Sequence, residues 1–282
     1  MLNLAEYRKT TTGLADYLPW ACLVAPGVVL NKDGSFQRTI RYRGPDLDSA
    51  TDAELVAVSA RLNNVLRRFG EGWALFFEAE RVPANQYPGH RFGDAASWLV
   101  DQERYASFSE DGAHHESRYY LTLLYLPPPE HQGRAERLLY ERQEGYSDEA
   151  DVWGQLAWFE TETTRALELL ESILPEAEAL DDAETLAYLH GTISDKRHPV
   201  ASPAVPTHLD AILCDTPFLG GVEPKLGRQH LRLLTVTGFP NTTTPGLLDA
   251  LNDLGFAYRW TTRWIALDKI QANKQLTKLR RQ

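Results

Sequence analysis

The sequence predicts an α+β fold with mixed, largely antiparallel sheets, flanking helices and a long acidic helical insert. Three observations carry this prediction. Short β-prone runs are bounded by turn-forming residues, amphipathic helical patterns fall among them, and the two do not alternate at the regular spacing of a doubly wound βαβ fold. With 282 residues, 43% of them hydrophobic and 24% charged, the chain has enough apolar material for a substantial core in one or two domains.

Residues 18–42 read as a hairpin. Two β-prone runs, CLVAPGVVL and SFQRTIRY, are joined by NKDG, whose Asp33-Gly34 pair suits a tight turn because glycine adopts positive φ freely. A helix follows. Thr51 and Glu54 make a T-x-x-E capping box, and Leu55, Val58, Leu62, Val65 and Phe69 recur at helical spacing until Gly70 ends the pattern. WALFFEAERV (73–82) is a strand, 94–108 a second amphipathic helix, and RYYLTLLYL (118–126) a strand stopped by Pro127, Pro128 and Pro129. The order to this point is ββαβαβ.

The next stretch is acidic. Residues 141–187 hold 14 Asp/Glu against two Arg, while 257–282 hold seven Lys/Arg against the single Asp268. The formal charge of −10 is thus local, and the chain ends basic. A long helix over about 147–174 presents Val152, Leu156, Phe159, Ala166, Leu170 and Ile173 on one face, and a shorter one runs from Asp181 to about His190. Together they are expected to form an insert between two sheet-forming halves. Beyond the Pro-rich HPVASPAVP, strands are expected near 211–214 and 230–237, a helix over 245–254, a strand over 256–267 and a helix over 269–281. The expected division is 1–140, an N-terminal α+β half; 141–195, the acidic helical insert; 196–267, a second α+β half; and 268–282, a basic linker helix.

Composition narrows the function classes. Cys22 and Cys214 are the two cysteines, far apart and without a CxxC or Cys/His spacing, which fits a reducing compartment and no zinc ribbon. The longest apolar run, 20–30, contains Pro26 and Gly27 and is much shorter than the ~20 residues that span a bilayer. The start MLNLAEYRK has no apolar stretch of the kind a secretory signal carries. A cytoplasmic protein that meets the membrane through partners is the expectation.

A phosphate loop requires G-x-x-x-x-G-K-[ST], and the chain has no Gly-Lys pair. FLGGVEPKLG (218–227) has the wrong spacing and reads as a hairpin loop. In GFPNTTTPG, Thr244-Pro245 reads as an N-cap and first helical residue, and the sequon at Asn241 has no meaning without secretion. His114, His115, His131, His190 and His198 lie on loops or helix ends with no His-x3-His pair and no adjacent cysteine, so exposed or helix-end histidine is the default and no metal site is expected. No G-x-S-x-G elbow marks a serine nucleophile. The carboxylates of 147–187 read as a solvated face or an acidic docking surface. No catalytic or cofactor-binding residue is expected. On the strand over 256–267, Tyr258, Trp260, Thr262 and Trp264 point one way and Arg259, Thr261 and Arg263 the other. The tryptophans are expected to pack in a core and the arginines to face solvent. Arg259, Arg263, Lys274 and Lys278 are the candidates for nucleic-acid contact.

Several stretches resemble one family. LADYLPWACLVAPGVVLNKDGSFQRTIRYRGPDLDS and ELVAVSARLNNVLRRFGEGWALFFEAER resemble the opening of TrbE-type conjugal transfer ATPases of the VirB/TrbE/CagE family. YYLTLLYLPPPE, FLGGVEPKLGRQHLRLLTVTGFPNTTTPGLLDAL and FAYRWTTRWIALD resemble later stretches of the same N-terminal region. The resemblance implies a non-catalytic assembly and docking domain at the bacterial inner membrane, positioning a RecA-like motor on the conjugation channel of a type IV secretion system. It implies inner-membrane channel subunits, the protein's own motor domain and further copies of the protein as partners. ATP and Mg are expected only in that motor domain, outside these residues. The alternative is a module of the same machine that contacts single-stranded DNA.

Overall fold

A computed structural model of the chain describes residues 13–45, 49–84, 87–109, 114–128, 148–238, 240–242, 244 and 247–280. Its centre is an antiparallel sheet. Strands β1 (Trp20–Ala25), β2 (Val28–Asn31), β3 (Phe36–Arg43), β4 (Trp73–Pro83), β5 (His115–Tyr125) and β10 (Tyr258–Ile265) lie in the order β1-β2-β3-β5-β4-β10, with β6 (Glu176–Ala179) also paired to β3. β2 and β6 divide one edge of β3: β2 pairs with Phe36, Gln37 and Arg38, and β6 with Ile40 through Arg43. A second, small sheet holds β7 (Phe218–Leu219), β8 (Lys225–Leu226) and β9 (Gln229–His230). The α+β expectation with antiparallel sheets is met.

Helices cover both faces of the main sheet. Side chains alternate along β4, so Trp73 and Leu75 enter one core while Glu78 and Glu80 lie on the opposite face. The first face meets α2 (Asp52–Leu66) and α4 (Asp148–Glu171). In α4, Val152, Leu156, Phe159, Thr163, Ala166 and Leu170 form a buried stripe with alternating spacings of four and three. Phe159 is fully buried, stacked on Trp73 at 5.6 Å and packed against Phe36 at 5.7 Å. Thr163, polar but buried within the stripe, donates to the Phe159 carbonyl and accepts from Arg38 Nη1. The second face carries a smaller core: Leu18, Trp20 and Val29 meet Leu186 and Leu189 of α5 (Asp182–Ile193) and Leu209 and Leu213 of α6 (Leu209–Leu213).

Local signals set the helix starts. Thr51 caps α2 and Asp181 caps α5, each in a reciprocal capping box with the glutamate three residues on. In α2 the expected positions Leu55, Val58, Leu62 and Val65 are half-buried or buried, as is Leu66. The remaining helices are α1 (Leu14–Tyr17), α3 (Ala95–Phe108) and α7 (Lys269–Leu279), with a 3-10 turn at Asp249–Asp253.

Several expectations are corrected. The run CLVAPGVVL is two strands, because Pro26 and Gly27 (φ 67°) turn the chain between β1 and β2. The order is accordingly βββαβαβ. The acidic helix α4 does not stand between two sheets; it lies on the main sheet in the same core as β2 to β5, and β6 behind it joins that sheet. Residues 211–213 belong to a short helix that buries Leu209 and Leu213 four residues apart, with Cys214 as its C-cap, and not to a strand. Of the strand expected near 230–237, His230 alone is paired, together with Gln229 before it. The helix expected over 245–254 is a 3-10 turn from Asp249, and Pro245 lies outside the described residues, as do His131 and the start of the acidic segment. FLGGVEPKLG forms the β7–β8 hairpin as expected.

Candidate functional site

The second face of the sheet is polar toward the β4–β10 edge. Antiparallel register sets Arg259 opposite Glu80 and Thr261 opposite Glu78, all on one face. Two carboxylates on neighbouring same-face positions of a covered strand repel and are poorly hydrated, so a fork of guanidinium donors between them is stabilising. Arg259 supplies it: Nη2 donates to Glu80 Oε1 at 2.7 Å, and Nη1 lies 3.2 Å from Glu78 Oε1. Arg197, from the loop after α5, donates Nη2 to the same Glu80 oxygen at 2.8 Å. Thr261 Oγ1 donates to Glu78 Oε2, and Arg259 Nη2 reaches the Gly191 carbonyl at the end of α5. The seam thus joins the last strand to β4 and α5.

The two carboxylates respond differently to a shared partner. Burial pushes Glu78 up, and the attraction of Arg259 does not fully offset it. Burial acts on Glu80 in the same direction, but Arg259 and Arg197 together outweigh it and hold its carboxyl below the usual value. The difference follows from geometry, since Glu80 receives hydrogen bonds from two guanidiniums while Glu78 has one guanidinium in ionic contact, Arg259, and the hydroxyls of Thr261 and Tyr188. Burial also raises Tyr188, with the Glu78 charge adding to the effect. Its ring packs against Tyr120 at 4.6 Å and roofs the seam.

This reverses one expectation about β10. Arg259 is turned inward, its side chain 24% exposed, because the carboxylates of β4 lie on its face. Trp264 is 39% exposed, since β10 is an edge strand and the core thins there. Arg263, Lys274 and Lys278 are exposed. Of the four nucleic-acid candidates, then, Arg259 is engaged within the fold, and the other three lie on the surface of β10 and α7.

A second polar cluster sits where α5 ends. His190, in its last turn, is 2% exposed, and its Nε2 lies 3.1 Å from Asp215 Oδ1. Ser194 and Thr216 hydroxyls donate to the same oxygen at 3.0 and 2.9 Å, and Lys196 Nζ donates to Oδ2 at 2.8 Å. With Lys196 foremost, these donors hold the Asp215 carboxyl far below the usual carboxylate range. His198 packs its ring edge-on to His190 at 4.6 Å. By sequence these histidines are separate and exposed or at helix ends; His190 is at a helix end but buried. Residues 190, 198 and 215 share no sequence motif, and the fold brings them together.

The class defined by this fold and seam is a helix-covered antiparallel sheet whose late strand is locked back onto its early ones. A family model described as the type IV secretion system ATPase VirB4/TrbE, N-terminal domain, matches residues 27–133. The chain is 30% identical over 301 aligned residues to a conjugal transfer protein TrbE of Rhizobium radiobacter, covering 100% of this chain and 36% of that one. It is 42% identical over 130 residues to the first portion of a probable conjugal transfer protein TrbE of Sinorhizobium fredii, covering 45% of this chain and 87% of that relative. With a type IV secretion system protein virB4 of Brucella abortus it shares 24% identity over 294 residues, 97% of this chain and 35% of the other. The chain belongs to the VirB4/TrbE family of type IV secretion ATPases and corresponds to its N-terminal region. It spans about a third of the length of the Rhizobium and Brucella relatives. Among the described residues no helix is long and apolar enough to cross a membrane.

Proposed function

We propose that this chain is the non-catalytic assembly and docking module of a conjugal transfer ATPase, positioning the motor on the inner-membrane channel. The observation that carries this reading is helix α3. It begins at a capped Asp94, yet Trp98, Leu99, Val100 and Tyr105 are each 52–57% exposed and no residue of the helix is buried. Its attachments are local: Tyr87 donates to Asp101 and packs against Tyr105 and Phe108, which stacks on His114. A helix this exposed gains little from its own packing, and clustered aromatic and aliphatic side chains on a surface suit a protein partner better than a phosphate backbone. The partner is an inner-membrane channel subunit. ATP and Mg belong to the motor region of the full-length family protein, which makes nucleotide turnover the work of that region and placement the work of this one.

The test is an affinity pull-down with the chain as bait on detergent-solubilised membranes from cells carrying the cognate transfer system. Inner-membrane channel subunits, identified by mass spectrometry, are expected with the wild type and depleted with a Trp98→Ser, Leu99→Ser variant of equal thermal stability. Recovery equal to a mock bait overturns the reading.

The exposure of Arg263, Lys274 and Lys278 on β10 and α7 favours a second reading, contact with single-stranded DNA. Binding that weakens steeply with salt, and that is lost on charge removal at these three positions, supports it. No binding even at low salt overturns it.

A further inference from the structure

We propose that His190, His198 and Asp215 form a binding site for a divalent transition-metal ion of zinc-like chemistry, which clamps the end of α5 to the two segments that follow it. One ligand atom from each of the three lies within 4.8 Å of the others. The closest pair, His190 Nε2 and Asp215 Oδ1, is 3.1 Å apart. Two ligands at about 2.0–2.1 Å from a tetrahedral ion lie ~3.3 Å apart, so this pair is already close to the spacing needed. The third, His198, is on an exposed loop position and brings a ring nitrogen within 4.8 Å of both.

The donor set selects the ion. Two imidazoles and one carboxylate suit zinc and its neighbours, whereas calcium and magnesium take oxygen ligands. Asp215 is oriented by the Ser194 and Thr216 hydroxyls, the kind of supporting hydrogen bonds that hold a carboxylate ligand in place. His190 is held rigidly in the last turn of a helix and shielded from water. With three protein ligands, a water completes the tetrahedron.

The other oxygen of the same carboxylate, Oδ2, carries a different cation, the Lys196 ammonium, at 2.8 Å. The Lys196 side chain is 53% exposed on a flexible stem, and an ion pair of this exposure holds little stability, so an incoming ion displaces the ammonium into water. Lys196 therefore competes with the metal for the charge of the Asp215 carboxylate, from its other oxygen.

The experiment is titration of the chelator-stripped full chain with zinc chloride by calorimetry, and with cobalt chloride by visible absorbance. The expected result is one ion per chain, with cobalt bands of tetrahedral intensity. His198→Ala, at an exposed position that leaves the cores intact, is expected to weaken binding at least tenfold. Lys196→Ala is expected to tighten it, whereas a hub without an ion has no binding to tighten. Absence of saturable binding up to about 100 μM zinc, an ~5.5 kcal/mol threshold, overturns the proposal. So does binding that His198→Ala leaves unchanged.

Discussion

Arg259 Nη2 lies 2.7 Å from Glu80 Oε1, a hydrogen bond that spans 179 positions of sequence and fastens the last strand of the main sheet to β4. Because Arg259 also faces Glu78, removing it leaves buried Glu78 without a guanidinium and Glu80 with Arg197 as its one remaining cation. Arg259→Met is expected to cost roughly 3–5 kcal/mol, the range for breaking a buried pair from one side. Glu78→Gln introduced beside it is expected to recover part of that loss. Urea denaturation of the single and double variants measures both.

The same seam sets a pH dependence. Glu80 ionises at a lower pH in the folded protein than in the unfolded chain, so its stabilisation is complete at neutral pH. It is lost as pH falls below about 4.5, the ordinary value, and through the folded one. Glu78 is raised, so its contribution is favourable in acid and declines as pH rises above about 4.5. Glu80→Gln is expected to flatten the acid limb of a stability profile and Glu78→Gln the limb above it. Denaturation midpoints from pH 3 to 7 decide; identical profiles for both variants contradict the assignment.

Gly27 holds φ at 67°, its N–H donates to Asp182 Oδ1, and a Cβ there would run into the Leu180 carbonyl oxygen. Gly27→Ala therefore strains the β1–β2 turn and pushes it away from the start of α5. A loss on the order of 2–4 kcal/mol is expected. Hydrogen exchange is expected to show early loss of protection in α5.

Phe159 fills the space between Phe36 and Trp73 with no solvent exposure. Phe159→Ala is expected to cost about 3–5 kcal/mol, whereas Trp158→Ala, one residue away and 42% exposed, should cost clearly less. Thermal melts of the pair would show whether α4 is a member of the main core, since equal small shifts are incompatible with that.

Much of the local structure is legible in the sequence. Capping boxes at Thr51 and Asp181, the helical stripe from Val152 to Leu170 and the hairpin in FLGGVEPKLG are short-range signals, each complete within a few turns of chain. The EAEA of β6 carries a strand alternation too, with alanines toward the core and glutamates toward Arg41 and Arg43, but four residues between two helices give too little pattern to act on. The apolar run at 209–214 is equally short, and helix and strand cannot be separated at that length.

By itself, the sequence determined where the capped helices begin, which faces of α2 and α4 are apolar, and to which family the chain belongs, because these rest on short-range pattern and on resemblance along the chain. Tertiary structure alone decided that the acidic helix lies on the main sheet, that Arg259 turns inward to Glu78 and Glu80, and that His190 meets Asp215. The physical reason is common to all three. A charged or polar side chain is read as solvent-facing until a partner far away in sequence offsets its desolvation, and which distant residue does so is fixed by strand register and packing, not by local pattern.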